Sequence, residues 1–136
     1  MSGAVPIMRI GGNVLISLQG DLDDTTVVAI ESAIMREVSR SRTTGTLIDV
    51  SGLAMVDSFI ARVIARMAAM TRLLGAETVI VGIQPAVAIT LVEMGVSMVD
   101  LHTALNAEQG IAMLQRLREG TAAISAEAAM STPVVR

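Results

Sequence analysis

The chain contains no cysteine and no lysine, and a single phenylalanine is its only aromatic residue. Without cysteine, disulfide bonds and thiolate metal sites are excluded. Without lysine, a phosphate-binding P-loop is excluded, because the lysine of that motif contacts the nucleotide phosphates. A receiver domain that accepts a phosphoryl group is also disfavoured, since that class places a lysine beside an acidic cluster.

Histidine is almost as scarce, since His102 is the only one in the chain. A Ser-His-Asp hydrolase needs its histidine beside the nucleophile, whereas His102 follows a marginal apolar segment and is expected in a surface loop. The sequence has no GxGxxG motif, and its acidic residues lack the spacing of a calcium-binding loop. We therefore expect neither an enzyme nor a bound metal or cofactor.

Basic clusters and long apolar runs are absent as well. The net charge is −3, and the ten basic residues, all arginine, form no cationic stripe, so nucleic-acid binding is not expected. The longest uncharged apolar stretch, Thr78 to Val92, falls short of the ~18 residues of a membrane-spanning helix. The first residues do not form a signal peptide. The sequence therefore predicts a cytoplasmic protein with no membrane association.

Aliphatic side chains are abundant instead, since 52% of the residues are hydrophobic and the mean hydropathy is +0.64. A single domain of 136 residues cannot bury all of this apolar surface, because small domains bury a modest share of their area. Exposed apolar patches usually mark partner surfaces. We therefore expect a homo-dimer or a component of a larger assembly; the alternative is a core that is merely rich in Ala, Val, Ile and Met.

Short apolar segments predict the strands. VLISLQG, Val14 to Gly20, is a strand with Ile7 to Ile10 as its hairpin partner. TLIDV and TVIVG, Thr46 to Val50 and Thr78 to Gly82, are short and β-branched, which is typical of buried parallel strands. A weaker strand is predicted at Val99 to Leu101.

Four helices are predicted from the helical spacing of apolar residues and from capping signals. The first begins at Asp23-Asp24-Thr25 and ends by Gly45, the second covers Ser58 to Leu74, the third Pro85 to Gly95, and the last Asn106 to Gly120. Strands that alternate with helices imply an α/β fold with a mostly parallel central sheet of four to five strands and helices packed on it. The domain is predicted at residues 1–120, with a flexible, partly helical tail at 121–136.

The pair Asp57-Ser58 lies where an apolar segment meets the predicted second helix. Ser58 is the expected N-cap, with its hydroxyl accepting a hydrogen bond from a backbone N–H one turn into the helix. One interpretation is that Ser58 is only a cap. The other is that Ser58 is a phosphorylation site, because a helix N-terminus tolerates an anion and a phosphate would add about −1.5 to −2 charges.

Three segments resemble a known family: VLISLQGDLDD, IDVSGLAMVDSFIARV and GIQPAVAITLVEMG are similar to the STAS domain, and specifically to the RsbS-type scaffold subunit of bacterial stressosomes. The likeness covers most of Ile7 to Glu119, and DSFIARV and GIQPAVAITL are its specific parts. In STAS antagonists of anti-sigma factors, a serine at the start of the second helix is the regulatory phosphorylation site. The resemblance therefore implies that Ser58 is that serine.

The resemblance also implies the partners of the chain. Such subunits assemble with sensor-bearing STAS paralogues into a large complex that retains a switch serine kinase. Under stress the kinase phosphorylates the scaffold serine, leaves the complex and activates a downstream branch, and a phosphatase resets Ser58.

Residues near Ser58 are the expected partner-binding surface. Each has an ordinary alternative: a turn-stabilising carboxylate, core packing of the apolar side chains, a solvated arginine, or a good helix start at the carboxyl edge of the sheet. The expected partner-binding residues are Asp57, Phe59, Ile60, Arg62, Gln84 and Pro85.

The sequence leaves two other functions open. Direct antagonists that bind an anti-sigma kinase usually carry small residues after the phosphorylated serine, whereas Phe59-Ile60 follow here, which favours the stressosome class. A ligand-sensing STAS module would bind a nucleotide or a lipid at the helix starts after Asp57 and Gln84.

Overall fold

The computed structural model of the chain describes residues 7–40, 43–53, 56–95 and 102–131. These ranges contain five strands and four helices in an alternating order that begins with a hairpin. The elements are β1 (Ile7–Ile10), β2 (Asn13–Gly20), α1 (Asp24–Arg40), β3 (Gly45–Leu53), α2 (Ser58–Leu73), β4 (Glu77–Val81), α3 (Pro85–Glu93), β5 (His102–Ala104) and α4 (Ala107–Ser131).

The strands form one sheet in the order β1-β2-β3-β4-β5. β1 pairs with β2 antiparallel through a two-residue turn in which Gly11 has φ of +61°, a conformation that favours glycine. The three remaining pairs are parallel. The predicted α/β fold with a mostly parallel five-stranded sheet is therefore confirmed.

The helices are divided unequally between the two faces of the sheet. Parallel strands in sequential order, joined by right-handed crossovers, place all the connecting helices on one face. The main core accordingly lies between that face and α1, α2 and α3. α4 follows the last strand and packs on the other face, where Leu114 contacts a small cluster around Leu47, Val79 and Val81. One face therefore has three helices and the other has one.

Alternation along the central strands fills both layers. In β3, Ile48 and Val50 belong to the main core, whereas Leu47 faces α4. In β4, Ile80 faces the main core and its neighbours Val79 and Val81 face α4. Successive side chains of a strand point to opposite faces, so strands covered on both sides are apolar at most positions, although the buried Thr46 and Thr78 are polar.

Two sequence predictions at the C-terminal end differ from the structure. The last helix does not end at Gly120 but continues to Ser131, because the alanine-rich segment after the glycine has high helix propensity and outweighs a cost of about 1 kcal/mol for one internal glycine. Of the predicted tail, residues 132–136 lie outside the described ranges, and its flexibility stays a prediction.

His102 is also placed differently from the expectation. It begins β5 and is half-buried, rather than lying in a surface loop, because its strand pairs in parallel with β4 at Val79. The strand predicted at Val99 to Leu101 lies outside the described residues.

The start of α1 follows the capping signal in the sequence. The backbone N–H of Thr26 donates to Oδ1 of Asp23 over 2.7 Å, as expected for an aspartate N-cap. Hydrogen bonds from the backbone N–H and then the hydroxyl of Thr26 hold the pKa of the Asp23 carboxyl below its ordinary value, because they stabilise the charged form.

We predict a pH-dependent contribution of Asp23 to stability. Because its folded pKa is lowered, the contribution is complete above the pKa of an unfolded aspartate and is lost as the pH falls through the folded pKa. Asp23→Asn keeps a capping side chain without the charge, so its deficit in unfolding free energy should shrink on acidification. Urea unfolding across the acidic range measures this, and a deficit independent of pH would contradict it.

Candidate functional site

The first turn of α2 is capped by Asp57, not by Ser58. Asp57 has extended backbone angles, φ −104° and ψ −174°, and its Oδ1 accepts a hydrogen bond from the N–H of Ile60, with the two atoms 2.9 Å apart. The carbonyl oxygen of Asp57 accepts from the N–H of Ala61 at 3.0 Å. The prediction that Ser58 is the N-cap is therefore wrong: the helix begins at Ser58, and the residue before it does the capping.

Ser58 consequently occupies the first helical position. It is exposed, and its hydroxyl makes no hydrogen bond to any residue in the described part of the chain. The backbone N–H at this position has no intrahelical partner in any helix. The hydroxyl of Ser58 is thus accessible to a modifying enzyme and is not needed to hold the helix.

The residues after Ser58 divide between the core and the surface. Ile60 is only 5% exposed and belongs to the main core, so the expectation that it binds a partner is corrected: its spacing places it on the inner face of α2. Phe59 is half-buried and packs against the same core, while Arg62 is exposed. Only Phe59 and Arg62 of this trio can reach a partner.

A groove lies between the first turns of α1 and α2, and Phe59, the residue after Ser58, is part of its lining. Its volume is about 520 Å³. Glu31 and Arg66 form an ion pair in its lining, in which Oε2 of Glu31 lies 3.0 Å from Nε of Arg66 without the alignment of a hydrogen bond. We call it the α1–α2 groove. Its lining residues are Asp24, Val27, Val28, Glu31, Phe59, Arg62, Val63 and Arg66.

Val28 in this groove is a surface residue that the sequence predictions missed. Its side chain is 61% exposed, although its neighbour Val27 lies in the core. The available signal was a second valine directly after one on the buried face, since adjacent helix positions cannot share a face. Apolar side chains that a monomer leaves in water are candidates for partner contact.

Gln84 and Pro85 lie at the same carboxyl edge of the sheet. Both are exposed, Pro85 is the first residue of α3, and Gln84 precedes it without a side-chain cap. The side chain of Gln84 instead donates from Nε2 to the carbonyl oxygen of Ser51, at 3.1 Å. This bond ties the start of α3 to the end of β3.

Gly82 makes that connection possible. Its φ is +77°, and a Cβ added there would lie 2.7 Å from Cβ of Ser51. A side chain at this position would therefore clash and strain the backbone. The chain after β4 thus passes close over the end of β3 before Gln84 begins the turn into α3.

A second cavity, of about 610 Å³, lies between α3, β5 and α4. Ile83, Leu105 and Arg116 are among its lining residues, but Asp57, Ser58 and Gln84 are not. It therefore does not coincide with the helix starts at which a ligand was expected.

In residues 7–40, 43–53, 56–95 and 102–131, no group of three or more His, Cys, Asp or Glu side chains is placed to hold a metal ion. Within the same ranges, no helix has the length and apolar character needed to cross a membrane.

The chain belongs to the STAS domain family, whose family model matches residues 4–125. Among solved structures, it is similar to RsbS from Moorella thermoacetica, determined as a serine-to-glutamate variant, with a TM-score of 0.77 and 32% identity over 86% of this chain and 99% of that chain. It is similar also to a chain of the stressosome, described as a signal integration and transduction hub, with a TM-score of 0.72 and 32% identity over 83% of this chain and 98% of that one.

The curated relatives are longer proteins. RsbRD of Bacillus subtilis, an RsbT co-antagonist protein, is 29% identical over 110 residues, which is 80% of this chain and 40% of the relative. The chain therefore spans about two fifths of the length of such relatives. The resemblance to STAS proteins of the RsbS type, inferred from the sequence, is confirmed.

We predict unequal stability effects of substitutions at the two residues of the helix start. Asp57→Ala removes the carboxylate that accepts from Ile60 and should lower the unfolding free energy by about 1 kcal/mol. Ser58→Ala removes no hydrogen bond and should change it by less than about 0.5 kcal/mol. Urea unfolding measures both, with Asp57→Asn as a control that retains a capping oxygen. A larger loss for Ser58→Ala than for Asp57→Ala would contradict this assignment.

Proposed function

We propose that this chain is a non-enzymatic scaffold subunit of a stressosome, located in the cytoplasm, that retains a switch serine kinase and releases it when Ser58 is phosphorylated. One observation carries the proposal: Ser58 presents an exposed hydroxyl at the first position of α2, while Asp57 performs the capping. Similarity to RsbS and to the stressosome chain supports it.

The two separate roles explain how a modification changes binding without unfolding the domain. A phosphate on Ser58 leaves the hydrogen bond from Ile60 to Asp57 in place, and the helix dipole favours an anion at this end. The phosphate adds about −1.5 to −2 charges directly beside the carboxylate of Asp57. Phosphorylation thus makes the surface strongly negative while the fold is retained.

The surface around Ser58 is built to bind a partner mainly through apolar contact. Phe59 and Val28 supply apolar area in the α1–α2 groove, and Arg62 lies on its rim. Gln84 and Pro85 extend the surface along the carboxyl edge of the sheet. A phosphate at the margin of such a surface is strongly hydrated, and docking an apolar partner against it would cost the free energy of removing that water. The kinase therefore dissociates.

The remaining partners follow from the relatives. The curated relatives are RsbT co-antagonist proteins of which this chain spans about two fifths, and longer STAS proteins of that kind are the sensor-bearing paralogues expected in the same complex. A phosphatase that removes the phosphate from Ser58 resets the subunit. A direct antagonist of an anti-sigma kinase would instead retain its kinase without any paralogue.

We predict that the cognate switch kinase, supplied with ATP, adds one phosphoryl group to the chain, at Ser58. Intact mass followed by peptide mapping identifies the site. The matched control is Ser58→Ala, which should stay at its original mass and keep the kinase bound in a pull-down with the paralogue. An unchanged mass for the natural chain, or a phosphate on another residue, would refute the assignment.

We predict further that the α1–α2 groove contributes to kinase retention. Val28→Glu, which places a charge at an exposed position of the groove, should weaken retention by at least about tenfold, and Arg62→Ala should weaken it in the same direction. Leu73→Glu is the matched control, because Leu73 is 87% exposed at the far end of α2. Equal retention by Val28→Glu and Leu73→Glu would exclude the groove from the interface.

A further inference from the structure

The edge strand β5 has backbone groups that point away from the sheet. The N–H of Gly82 donates to the carbonyl oxygen of Ala104 at 3.3 Å, so the backbone groups of Ala104 point towards β4. Consecutive residues of a strand direct their N–H and C=O groups to opposite sides, and those of Thr103 therefore point outwards. Among the described residues no strand lies beyond β5, so these two groups of Thr103 have no strand to pair with.

The second cavity, of about 610 Å³, lies along this edge. Thr103 is paired with Ile80, which belongs to the main core, and Ala104 with Val81, which belongs to the cluster under α4. Paired residues have their side chains on the same face of a sheet. Thr103 and Ala104 both line the cavity, which therefore spans the sheet edge between α3 on one face and α4 on the other. We call it the β5 slot.

Apolar side chains form most of the walls of the β5 slot. Ile83 and Ala88 line it on the side of α3, and Ala112 and Met113 line it on the side of α4. Leu105, which follows β5, also lines the slot and is 78% exposed. A large apolar side chain that stays in water beside an apolar cavity is a candidate for partner contact.

Arg116 is the one charged residue among the described residues that line the β5 slot. It is exposed, and no described residue forms an ion pair or a hydrogen bond with its side chain. Arg9, Arg40 and Arg66, on other surfaces, each bind a glutamate. The slot therefore offers an unneutralised positive charge, which favours a partner with a negative one.

We propose that the β5 slot binds an extended segment of a partner protein, which adds a strand beside β5 and carries an acidic residue next to an apolar one. The N–H and C=O of Thr103 pair with the backbone of this segment, and the side-chain contacts give specificity, as in other cases of strand addition. Successive side chains of the added strand point to opposite faces. The acidic side chain meets Arg116 on the α4 side, and its apolar neighbour contacts Ile83 and Ala88 on the α3 side.

An extended peptide fits these features better than a helix or a small molecule. The unpaired groups of an edge strand are a template for another strand, whereas a helix satisfies its own backbone groups and cannot use them. β5 has only three residues, so the backbone bonds are few, and the apolar walls and Arg116 supply the remaining contacts. Binding here does not depend on phosphorylation of Ser58, which is not among the lining residues.

Amide hydrogen exchange, followed by NMR on the full chain, tests whether the edge is free. The outward N–H of Thr103 should exchange at least about tenfold faster than the N–H of Ala104, which points towards β4. Exchange at Thr103 as slow as at Ala104 would show that the chain itself already covers this edge, and would overturn the proposal.

Binding is tested with two end-blocked peptides, Thr-Val-Asp-Val-Thr and Thr-Val-Lys-Val-Thr, at millimolar concentration. The aspartate peptide should shift the amide NMR signals of Thr103 and Leu105 but not that of Ser58, and should bind at least about tenfold more tightly than the lysine peptide. Arg116→Glu should reverse this preference. Arg36→Glu is the matched control, because Arg36 is also exposed but lies on α1, away from the slot, and it should leave the preference unchanged.

A second pair of variants tests the backbone bonds. Thr103→Pro removes the outward N–H, a change that edge strands tolerate, and should weaken binding of the aspartate peptide by at least about tenfold. Thr103→Val keeps the N–H and should bind as the natural chain does. Unchanged far-UV circular dichroism shows that each variant is folded.

Three results would overturn the proposal. The first is that neither peptide shifts the amide signal of Thr103, and the second is that Arg116→Glu keeps the original preference. The third is that decanoate, an amphipathic carboxylate without a peptide backbone, shifts the same signals while the aspartate peptide does not. That last result would assign the β5 slot to a small molecule.

Discussion

The hydrogen bond from the backbone of Ile60 to the carboxylate of Asp57 is the interaction on which the candidate site depends. It satisfies one of the unpaired N–H groups that every helix start exposes, and it does so from the residue before the helix. The hydroxyl of Ser58 is therefore not needed to cap the helix. An accessible hydroxyl that holds nothing in place can be modified and restored without the domain being unfolded and refolded.

The sheet determines what else lies near that hydroxyl. Parallel strands end at a common edge, so α2 and α3 both start there, and the bond from Gln84 to Ser51 ties the start of α3 to β3. The helices of the main core form one surface around Ser58, and α4 packs on the other face of the sheet. The proposed site of modification thus lies at the carboxyl edge of the sheet, at the start of a helix that packs on the main core.

Strand and helix order could be predicted because short apolar, β-branched segments alternate with segments of helical periodicity in this sequence. The cap could not, because Asp57 and Ser58 are adjacent and both are good capping residues, and only the path of the chain from β3 decides between them. The burial of Ile60 and the exposure of Val28 follow from the spacing of the apolar residues in α2 and α1, a signal that the sequence predictions did not apply to these two positions. The end of the last helix was predicted wrongly at Gly120, because a glycine marks a helix end only when weak helix formers follow it, whereas α4 continues to Ser131.

The position of Ser58 has an evolutionary consequence. The first turn of a helix favours acidic side chains, because they interact with its positive end, so an aspartate or glutamate there would fold at least as well as serine. Protein quality control would not remove such a variant. Under the proposed function, serine at this position serves reversible modification and not the stability of the domain, because only a hydroxyl can gain and lose the charge.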